Sequence, residues 1–270
     1  MINRIGLTGS TGSLGKIILK NNKKINFCCF KGDIRDRSKV FDWFKKNNII
    51  AIIHLAAIVP IKRVNDDKNK AKKINYHGTK NIVDACLKNK IKWFFFSSTS
   101  HVYNSSIKKI PETAKIKPIS FYGQTKLLGE NYIIKKFNSS KIPYCIGRIF
   151  STTNKNQKKN YLVPDLKNRI KKAKKIIVLK NLNHYRDFIS MEDIAKIIFV
   201  LFKKNFCGIL NIGTGNGIHL KDIAISLGKK YRKKIKFIDN NKKTYLVANI
   251  NKLKKLYKFK LTENTEKLIF

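Results

Sequence analysis

The sequence predicts an α/β fold with a doubly wound parallel sheet. Apolar runs of strand length alternate with segments of helical period, which is the order of a parallel sheet with crossover helices. The runs are continuously apolar rather than alternating, as strands covered on both faces are. A glycine-rich turn, "TGSTGSLG", follows the first run and opens the first helical segment. With 270 residues, 43% of them hydrophobic, the chain can bury a core of this kind.

The expected elements fall into two regions. Strands are predicted at 2–8, 25–30, 49–57, 92–99 and 142–150, and helices near 13–22, 36–47, 68–88 and 122–138. After Phe150 a polar, lysine-rich stretch begins a looser region. Helices are predicted there near 164–174, 191–204 and 218–230, and strands at 175–180, 208–213 and 234–239. We therefore predict a first domain at 1–150 and a smaller lobe, mainly 151–270, of which about 183–204 packs back on the first domain.

The charge balance is strongly basic. The chain has 59 Lys and Arg against 16 Asp and Glu, a formal net charge of +43. Such an excess is typical of proteins that bind polyanions. The lysines, however, are spread over nearly every polar segment, and Asn, Ile, Phe and Tyr are also abundant, as A/T-rich codons would produce. We expect no specific nucleic-acid ligand, and a nucleic-acid-associated protein remains an alternative.

Cysteine spacing and hydropathy exclude other classes. The five cysteines show no metal-ligand spacing, so we expect buried reduced thiols and no metal. The longest apolar stretch, 49–61, is too short to span a bilayer and contains His54 and Pro60. The first residues do not follow the order of a signal peptide. We therefore expect no membrane segment and a cytoplasmic location.

The glycine-rich turn has the sequence context of a phosphate cradle. Gly9, Gly12 and Gly15 lie between a predicted strand and a predicted helix. The first glycine allows the tight turn, the second lets the backbone approach a diphosphate, and the third lets helix and strand pack closely. The N–H groups at the helix N-terminus would then face the phosphates. The alternative is an ordinary strand-to-helix turn.

The end of the second strand bears on the choice of dinucleotide. Dinucleotide-binding folds usually place an acidic ribose ligand there. In this chain the strand ends at Phe30 and is followed by Lys31 and Asp33. A lysine at this point would favour the 2′-phosphate of NADP. One lysine in so basic a chain does not decide the matter, and both NAD and NADP stay open.

A second constellation has the residue types of a proton-transfer site. Tyr122 and Lys126 are four residues apart in a predicted helix and share one face. A tyrosine has a reference pKa near 10, too high for a base at neutral pH, and a nearby ammonium group would favour the phenolate. Upstream, the apolar strand "FFFSSTSHVY" ends in hydroxyl residues at 97–100. Strand ends form the ligand crevice of this architecture, so these hydroxyls could bind a substrate oxygen.

These motifs together resemble the extended short-chain dehydrogenase/reductases, the NAD-dependent epimerase/dehydratase family of nucleotide-sugar enzymes. The resemblance covers nearly the whole chain. It rests on these segments in order: "TGSTGSLG", "KGDIRD", "IHLAA", "INYHGTKNIVDAC", "FSSTSHVY", "YGQTK", "RDFISMEDIA", "NIGTGNG" and "NINKLKKLYKF". The resemblance implies a Rossmann-type NAD(P)-binding domain at 1–150, a smaller C-terminal substrate-binding lobe and a nucleotide-sugar substrate. It leaves the oligomeric state open, with a homodimer as one possibility.

The resemblance also assigns roles to individual residues. Tyr122 would be the acid/base, Lys126 would lower its pKa and hold the nicotinamide ribose, and Thr99 would hydrogen-bond the reacting sugar oxygen. Arg186 would grip the nucleotide diphosphate, as a planar guanidinium can. The implied cofactor-binding residues, besides Tyr122 and Lys126, are Gly9, Thr11, Gly12, Ser13, Leu14, Gly15, Asp33, Ile34, Leu55, Ala56, Ala57 and Asn75. The implied substrate-binding residues, besides Thr99, Tyr122 and Arg186, are Asn160 and Leu162.

Several alternatives remain open at this stage. Asn75 would be either a site residue or a structural hydrogen-bonding residue. Ser151 and Asn249 replace residues of the family pattern, so the sequence leaves the sugar undetermined. A UDP-sugar 4-epimerase is the first choice, and an NAD(P)H-dependent 4-keto-6-deoxy nucleotide-sugar reductase is the second. A catalytically silent dinucleotide-binding regulator is the alternative from another class.

Overall fold

A computed structural model describes residues 4–59, 61–154, 157, 161–240, 243–257 and 269 of the chain. The strands are β1 Arg4–Thr8, β2 Phe27–Cys29, β3 Ile49–His54, β4 Trp93–Thr99, β5 Tyr144–Ile149, β6 Ser151–Thr153, β7 Ile176–Lys180, β8 His184–Ser190, β9 Gly208–Ile212, β10 Gly217–His219, β11 Lys234–Ile238 and β12 Thr244–Leu246. The α-helices are α1 Ser13–Asn21, α2 Arg37–Lys46, α3 Ile61–Asp66, α4 Lys68–Lys72, α5 Thr79–Lys88, α6 Phe121–Ser140, α7 Leu162–Lys172, α8 Met191–Lys203, α9 Leu220–Tyr231 and α10 Asn251–Leu256.

The central sheet has six strands in the order β2-β1-β3-β4-β5-β9. The neighbours β1–β2, β1–β3, β3–β4 and β4–β5 are parallel. The chain moves outward from β1 to β2 on one side and then through β3, β4 and β5 on the other. The strand order therefore reverses at β1 and β3, which is where ligands bind in sheets of this kind. The predicted α/β fold with a doubly wound parallel sheet is confirmed.

The apolar runs of the sequence are the buried strands of this sheet. In β4, Trp93, Phe94, Phe95 and Phe96 are all at most 1% exposed, although successive side chains point to opposite faces. Both faces of β4 are therefore covered, which explains why the run lacks the alternation of a strand with one wet face. Among the described helices, none combines the length and the apolar composition that a bilayer span requires.

The chain divides into two compact units. The first consists of residues 1–104, 115–149 and 194–210, and the second of residues 105–114, 150–193 and 211–270. Within the second unit, β10, β8 and β12 form a sheet to which β6 is added through β8, and β7 pairs with β11 in parallel. Its core gathers apolar side chains of α7, α9, β7 and β8.

The structure corrects several sequence expectations. The helix expected from residue 218 begins at Leu220, because Gly217–His219 forms a short strand against β8. The strands β6, β8, β10 and β12 were not predicted. The helix expected at 68–88 is interrupted by a π-helical segment, Lys73–Gly78, between α4 and α5. π-helical segments are frequent at functional sites, and this one contains Asn75.

Candidate active site

The glycine-rich turn between β1 and α1 is held by close backbone contacts. Gly9 has φ +73°, and a Cβ built on it would lie 2.8 Å from the backbone nitrogen of Ala56. A Cβ on Gly15 would lie 2.8 Å from Cα of Ser10. Side chains at these two positions would therefore collide with backbone. The fold itself requires glycine at Gly9 and Gly15.

Gly12 differs, because an added Cβ would meet a single backbone atom, and less closely than at Gly9 or Gly15. It has φ −72° and ψ 165°, which any residue can adopt, and a Cβ there would meet only the carbonyl oxygen of Gly9, at 3.2 Å. Gly12 is also the N-cap of α1, and within the described part of the chain no side chain caps this helix. The N–H groups of its first turn are therefore available to an anion. The turn fits the diphosphate of a dinucleotide, and Thr11, Ser13 and Leu14 lie at the same turn.

Gly12→Val tests this cradle without disturbing the fold. We expect a folded protein whose affinity for NAD(P) falls at least about tenfold, because the valine side chain occupies the space that the diphosphate needs. Isothermal titration calorimetry with NAD+ and NADP+ measures the change. Gly15→Val is the matched comparison, and we expect it to lower the free energy of unfolding because its side chain collides with Ser10. Unchanged dinucleotide affinity in folded Gly12→Val would show that the glycine-rich turn does not bind the diphosphate.

The residues after β2 contain an ion pair that the sequence did not indicate. The Asp33 carboxylate accepts hydrogen bonds from Nε of Arg35 at 2.9 and 3.0 Å and from the Arg35 backbone N–H at 2.9 Å. The side-chain bond from Arg35 is the largest cause that lowers the pKa of Asp33. Ile34, between them, is buried, and Lys31 is exposed. The cofactor contact expected of Asp33 stays a prediction, and Arg35 is its ion-pair partner.

The segment after β3 lies directly against the glycine-rich turn. The backbone N–H groups of Leu55 and Ala56 each donate to Oγ1 of Thr8, at 3.2 Å in both cases. Thr8 ends β1 and immediately precedes Gly9. Two segments that were predicted to line the cofactor, the turn after β1 and the residues 55–57, are therefore brought together by one threonine hydroxyl.

Asn75 joins that segment to helix α6. Its side chain is fully buried; Oδ1 accepts from the N–H of Ile58 at 2.7 Å, and Nδ2 donates to Oγ1 of Thr125 at 3.1 Å. Thr125 in turn donates to the carbonyl oxygen of Tyr122 at 2.8 Å. Asn75 thus has the structural role considered from the sequence. A direct contact with cofactor stays a prediction.

Thr99 and Tyr122 both border His101. The Thr99 Oγ1 accepts a hydrogen bond from the His101 backbone N–H at 3.3 Å, and the His101 ring packs edge-on against the Tyr122 ring, with centroids 6.1 Å apart. Nδ1 of His101 lies 3.1 Å from Oγ of Ser120, the N-cap of α6. Ser120 accepts from the N–H of Gly123. The end of β4 and the first turn of α6, which carry the predicted catalytic hydroxyls, are therefore packed together.

Lys126 lies one turn further along α6 and is 1% exposed. Its Nζ is 4.1 Å from the centroid of the Phe96 ring in β4, a cation–π arrangement. Burial lowers the pKa of Lys126 to about 7, against the negative charge of Glu130, which raises it. An amine held at this pKa can carry or release a proton near neutral pH. Lys126 is four residues after Tyr122 in α6, and its catalytic role stays a prediction.

Lys126→Met should stabilise the protein while impairing its function. The pKa of Lys126 is lower in the folded chain than its ordinary 10.5, so the unfolded state binds more protons between about pH 7 and pH 10.5. The cost of the buried amine is then fully present below about pH 7 and decreases as the pH rises. We expect the free energy of unfolding to increase by about 1–3 kcal/mol at about pH 6 and by less at about pH 9.

Urea unfolding at the two pH values measures this difference. Lys135→Met, an exposed lysine on the same helix, is the control and should change stability little at either pH. An equal effect of Lys126→Met and Lys135→Met at about pH 6 would contradict the burial cost. Dinucleotide affinity and turnover of Lys126→Met should fall, as substitutions that relieve a strained site commonly show.

A buried ion pair involves Glu130, which lies one helical turn after Lys126 in α6. Nη2 of Arg148 donates to Oε2 of Glu130 at 2.7 Å, and Nε of Arg148 lies 3.2 Å from both carboxylate oxygens. Ser98 also donates to Glu130, and Arg148 donates to the hydroxyl of Tyr103 at 2.9 Å. The Ser98 hydroxyl is bound to Glu130. The neighbouring hydroxyl, that of Thr99, lies at the C-terminal end of β4.

Two further residues that were predicted to bind substrate, Arg186 and Leu162, belong to the second unit. Arg186, in β8, donates through Nη1 to the carbonyl oxygen of Tyr185 at 2.7 Å and to Oγ1 of Thr244 at 2.9 Å. Burial lowers the pKa of Arg186 to about 10. Leu162 is the first residue of α7 and is 39% exposed. Asn160 lies outside the described residues. The substrate roles of all three stay predictions.

Sequence reasoning missed four polar residues next to the predicted site: His54, His101, Glu130 and Arg148. A signal was present for three of them. His54 and Arg148 interrupt apolar strand runs, and Glu130 lies one turn after Lys126 in the helix. A charged residue in a fully buried run requires a partner, so Arg148 implied a buried carboxylate. No pattern in the sequence indicated that His101 would pack on Tyr122.

Both the sequence and the fold of this chain are similar to those of known proteins. A sequence model of the NAD dependent epimerase/dehydratase family matches residues 7–213. The chain is 27% identical to an ADP-L-glycero-D-manno-heptose-6-epimerase of Brachyspira hyodysenteriae, over 84% of this chain and 80% of that protein. It is 24% identical to a dTDP-D-glucose 4,6-dehydratase of Dictyostelium discoideum, over 83% of this chain. The match spans only 54% of the length of that dehydratase.

Solved structures share the fold along nearly the whole chain. UDP-glucose 4-epimerase of Thermus thermophilus in complex with NAD superposes with a TM-score of 0.86 at 18% identity, covering 98% of this chain and 97% of that one. UDP-glucose 4-epimerase of Thermotoga maritima with UDP-glucose gives a TM-score of 0.87 at 20% identity, with the same coverage. At these identities the superpositions show a common fold.

Proposed function

Because this chain belongs to the NAD-dependent epimerase/dehydratase family, we propose that it is an NAD(P)-dependent enzyme that epimerises the C4 carbon of a UDP-sugar. Membership confirms the resemblance found in the motifs, and with it the expected NAD(P)-type cofactor. Structures of the same fold include an epimerase complex with NAD and a Pseudomonas aeruginosa protein complexed with NADPH. The choice between NAD and NADP is therefore left to measurement.

The observation that carries the proposal is the cluster where β4 ends against α6. The Thr99 and Tyr122 side chains flank His101, and the buried amine of Lys126 lies one helical turn from Tyr122. The open N-terminus of α1 and the segment 55–57 lie in the same unit. A hydroxyl donor, a phenol and an amine beside an anion cradle are the groups that dinucleotide-dependent oxidation of an alcohol requires.

Each of these residues has a role in the proposed reaction. Tyr122 takes the proton from the C4 hydroxyl as that carbon is oxidised, and returns a proton to the same oxygen when the carbon is reduced on its other face. Thr99 hydrogen-bonds that oxygen, and the charge of Lys126 favours the phenolate of Tyr122. When bound, the nicotinamide supplies the hydride acceptor and donor. Arg186 and Leu162 contribute to binding the nucleotide.

A second candidate activity is an NAD(P)H-dependent 4-keto-6-deoxy nucleotide-sugar reductase. It would use the same three residues but only the step that reduces the carbon. The short second region favours it, because it resembles that of the smaller 4-keto-sugar reductases. A silent dinucleotide-binding regulator is disfavoured because Thr99, Tyr122 and Lys126 are all present. Relatives named as 4,6-dehydratases add a third activity to be tested.

An assay of nicotinamide absorbance separates these activities. The purified protein is mixed with NAD+ or with NADPH. Each mixture then receives, in separate reactions, UDP-glucose, UDP-N-acetylglucosamine or a 4-keto-6-deoxy nucleotide sugar. An epimerase forms the C4 epimer with no net change in absorbance. Consumption of NADPH in proportion to product from the 4-keto sugar would overturn the first choice in favour of the reductase. Formation of a 4-keto-6-deoxy sugar from a UDP-hexose would indicate a dehydratase.

A further inference from the structure

His54, the last residue of β3, lies in the middle of a buried chain of hydrogen bonds. It is 1% exposed. Its Nδ1 is 2.6 Å from Oγ1 of Thr8, and its Nε2 is 3.0 Å from Oγ1 of Thr79 in α5. The ring also stacks on Phe96, with centroids 5.8 Å apart. Both ring nitrogens of His54 therefore have a threonine partner, and one of those threonines borders the glycine-rich turn.

The partners of the two threonines determine which ring nitrogen carries the proton. Thr79 donates its hydroxyl proton to the carbonyl oxygen of Asn75, at 2.8 Å. Its oxygen must then accept from His54, which places the proton on Nε2. With Nδ1 unprotonated, Thr8 donates to it. The oxygen of Thr8 remains free to accept the N–H groups of Leu55 and Ala56, as observed.

The ring of His54 is uncharged at physiological pH. Burial lowers its pKa to about 3, and the charge of Lys126 adds to this effect. A protonated ring would have to donate from both nitrogens, and Thr8 could then no longer donate to Nδ1. The neutral ring is thus the form that agrees with every hydrogen bond of the chain.

The chain continues from Asn75 to the catalytic helix. The side chain of Asn75 binds the backbone of Ile58 and the hydroxyl of Thr125, which donates to the carbonyl oxygen of Tyr122. One set of buried hydrogen bonds therefore reaches from the turn after β1, through the segment after β3, to the first turn of α6. These three segments carry predicted cofactor residues.

We propose that His54 is a positioning residue of the dinucleotide site. As an imidazole protonated on Nε2, it determines which group donates and which accepts in this series of hydrogen bonds. It thereby holds the backbone of Leu55 and Ala56 where the cofactor binds. The inference rests on dinucleotide binding in the proposed function and is independent of the sugar. His54 itself need not touch the cofactor. Its effect passes through Thr8 on one side and through Thr79 and Asn75 on the other.

Two measurements test the proposal. The 15N chemical shifts of the wild-type imidazole report the tautomer of His54, and the proposal requires a neutral ring protonated on Nε2. Calorimetric titration with NAD+ and NADP+ then compares the wild type with His54→Phe, Thr8→Val and the double variant. We expect each single variant to bind about tenfold more weakly, because each removes a hydrogen bond of the same chain. The double variant should bind no more weakly than either single variant.

Controls separate positioning from general loss of packing. Ile53→Val, in the same strand, removes one buried methylene group and should leave dinucleotide affinity unchanged. Thr79→Val interrupts the series of hydrogen bonds with a side chain of the same shape. It therefore still tests the proposal if His54→Phe does not fold. Amide hydrogen exchange at Leu55 and Ala56 should accelerate in Thr8→Val and Thr79→Val.

Three results would overturn the proposal. They are a ring protonated on Nδ1, unchanged dinucleotide affinity in folded Thr8→Val and Thr79→Val, and losses that multiply in the double variant. A wild type that binds neither NAD+ nor NADP+ would contradict the proposed function, and the cofactor role of His54 with it. A wild type that binds dinucleotide but shows the other tautomer would contradict the role of His54 alone.

Discussion

Tyr122→Phe should lower turnover by about 10² to 10⁴-fold and leave dinucleotide affinity nearly unchanged. The substitution deletes only the phenolic oxygen. The phenylalanine ring can keep the edge-on contact with His101, and Ser120 still caps the helix at Gly123. Because the fold and the cradle are retained, the loss falls on proton transfer. Steady-state kinetics on the substrate identified by the absorbance assay, with calorimetric titration of NAD(P), measures both quantities.

A tyrosine on the same helix provides the matched control. Tyr132 donates its hydroxyl to Asp84 at 2.6 Å, and burial raises its pKa to about 12. It lies ten residues beyond Tyr122, so we expect Tyr132→Phe to leave turnover within about twofold of the wild type. Wild-type turnover in folded Tyr122→Phe would exclude Tyr122 as the proton-transfer residue, and the mechanism would have to be rebuilt around another group.

Arg148→Met should lower the free energy of unfolding by about 3–5 kcal/mol. The side chain of Arg148 is 4% exposed and that of Glu130 is fully buried. Removing the guanidinium group leaves the carboxylate of Glu130 without its principal partner in a site that water does not reach. The cost of a buried, unpaired charge is much larger than the net value of the pair. Urea unfolding of wild type and variant measures the difference.

A double variant distinguishes this explanation from a simple loss of packing. Arg148→Met combined with Glu130→Leu removes both charges, and we expect it to recover most of the lost stability. Arg169→Met is the surface control, since the Arg169–Asp165 pair is about half exposed on both sides and should contribute little. A double variant no more stable than Arg148→Met alone would show that the loss comes from packing and not from the unpaired carboxylate of Glu130.

The parts of the fold that the sequence predicted are those coded by local patterns. The continuous run at β4 is apolar because both faces of the strand are covered, and such a run is visible without knowing its neighbours. The glycine-rich turn was visible because the fold demands glycine at two of its positions, Gly9 by positive φ and close backbone approach and Gly15 by close backbone approach. The spacing of Tyr122 and Lys126 is also a local pattern, because residues four apart share one face of a helix.

The parts that were missed depend on partners distant in the chain. The strands β10 and β12 have three residues each and exist because both pair with β8. The burial of Lys126 over Phe96 is set by the folded surroundings, and the sequence shows only the residue types. The direction of the hydrogen bonds at His54 requires the side chains of Thr8, His54 and Thr79 and the backbone carbonyl of Asn75, all from different elements. The substrate-binding roles of Asn160, Leu162 and Arg186 remain predictions.

The most direct measurement of the central claim follows the hydrogen at C4 of a UDP-sugar. UDP-glucose labelled with deuterium at C4 is incubated with the protein and NAD+, and the product is analysed by NMR and mass spectrometry. The proposal predicts UDP-galactose that keeps the deuterium at C4, with no exchange into water, and no product from Tyr122→Phe over the same time. Loss of the deuterium to solvent, or equal conversion by the Phe variant, would contradict hydride transfer at C4 with Tyr122 as the acid/base.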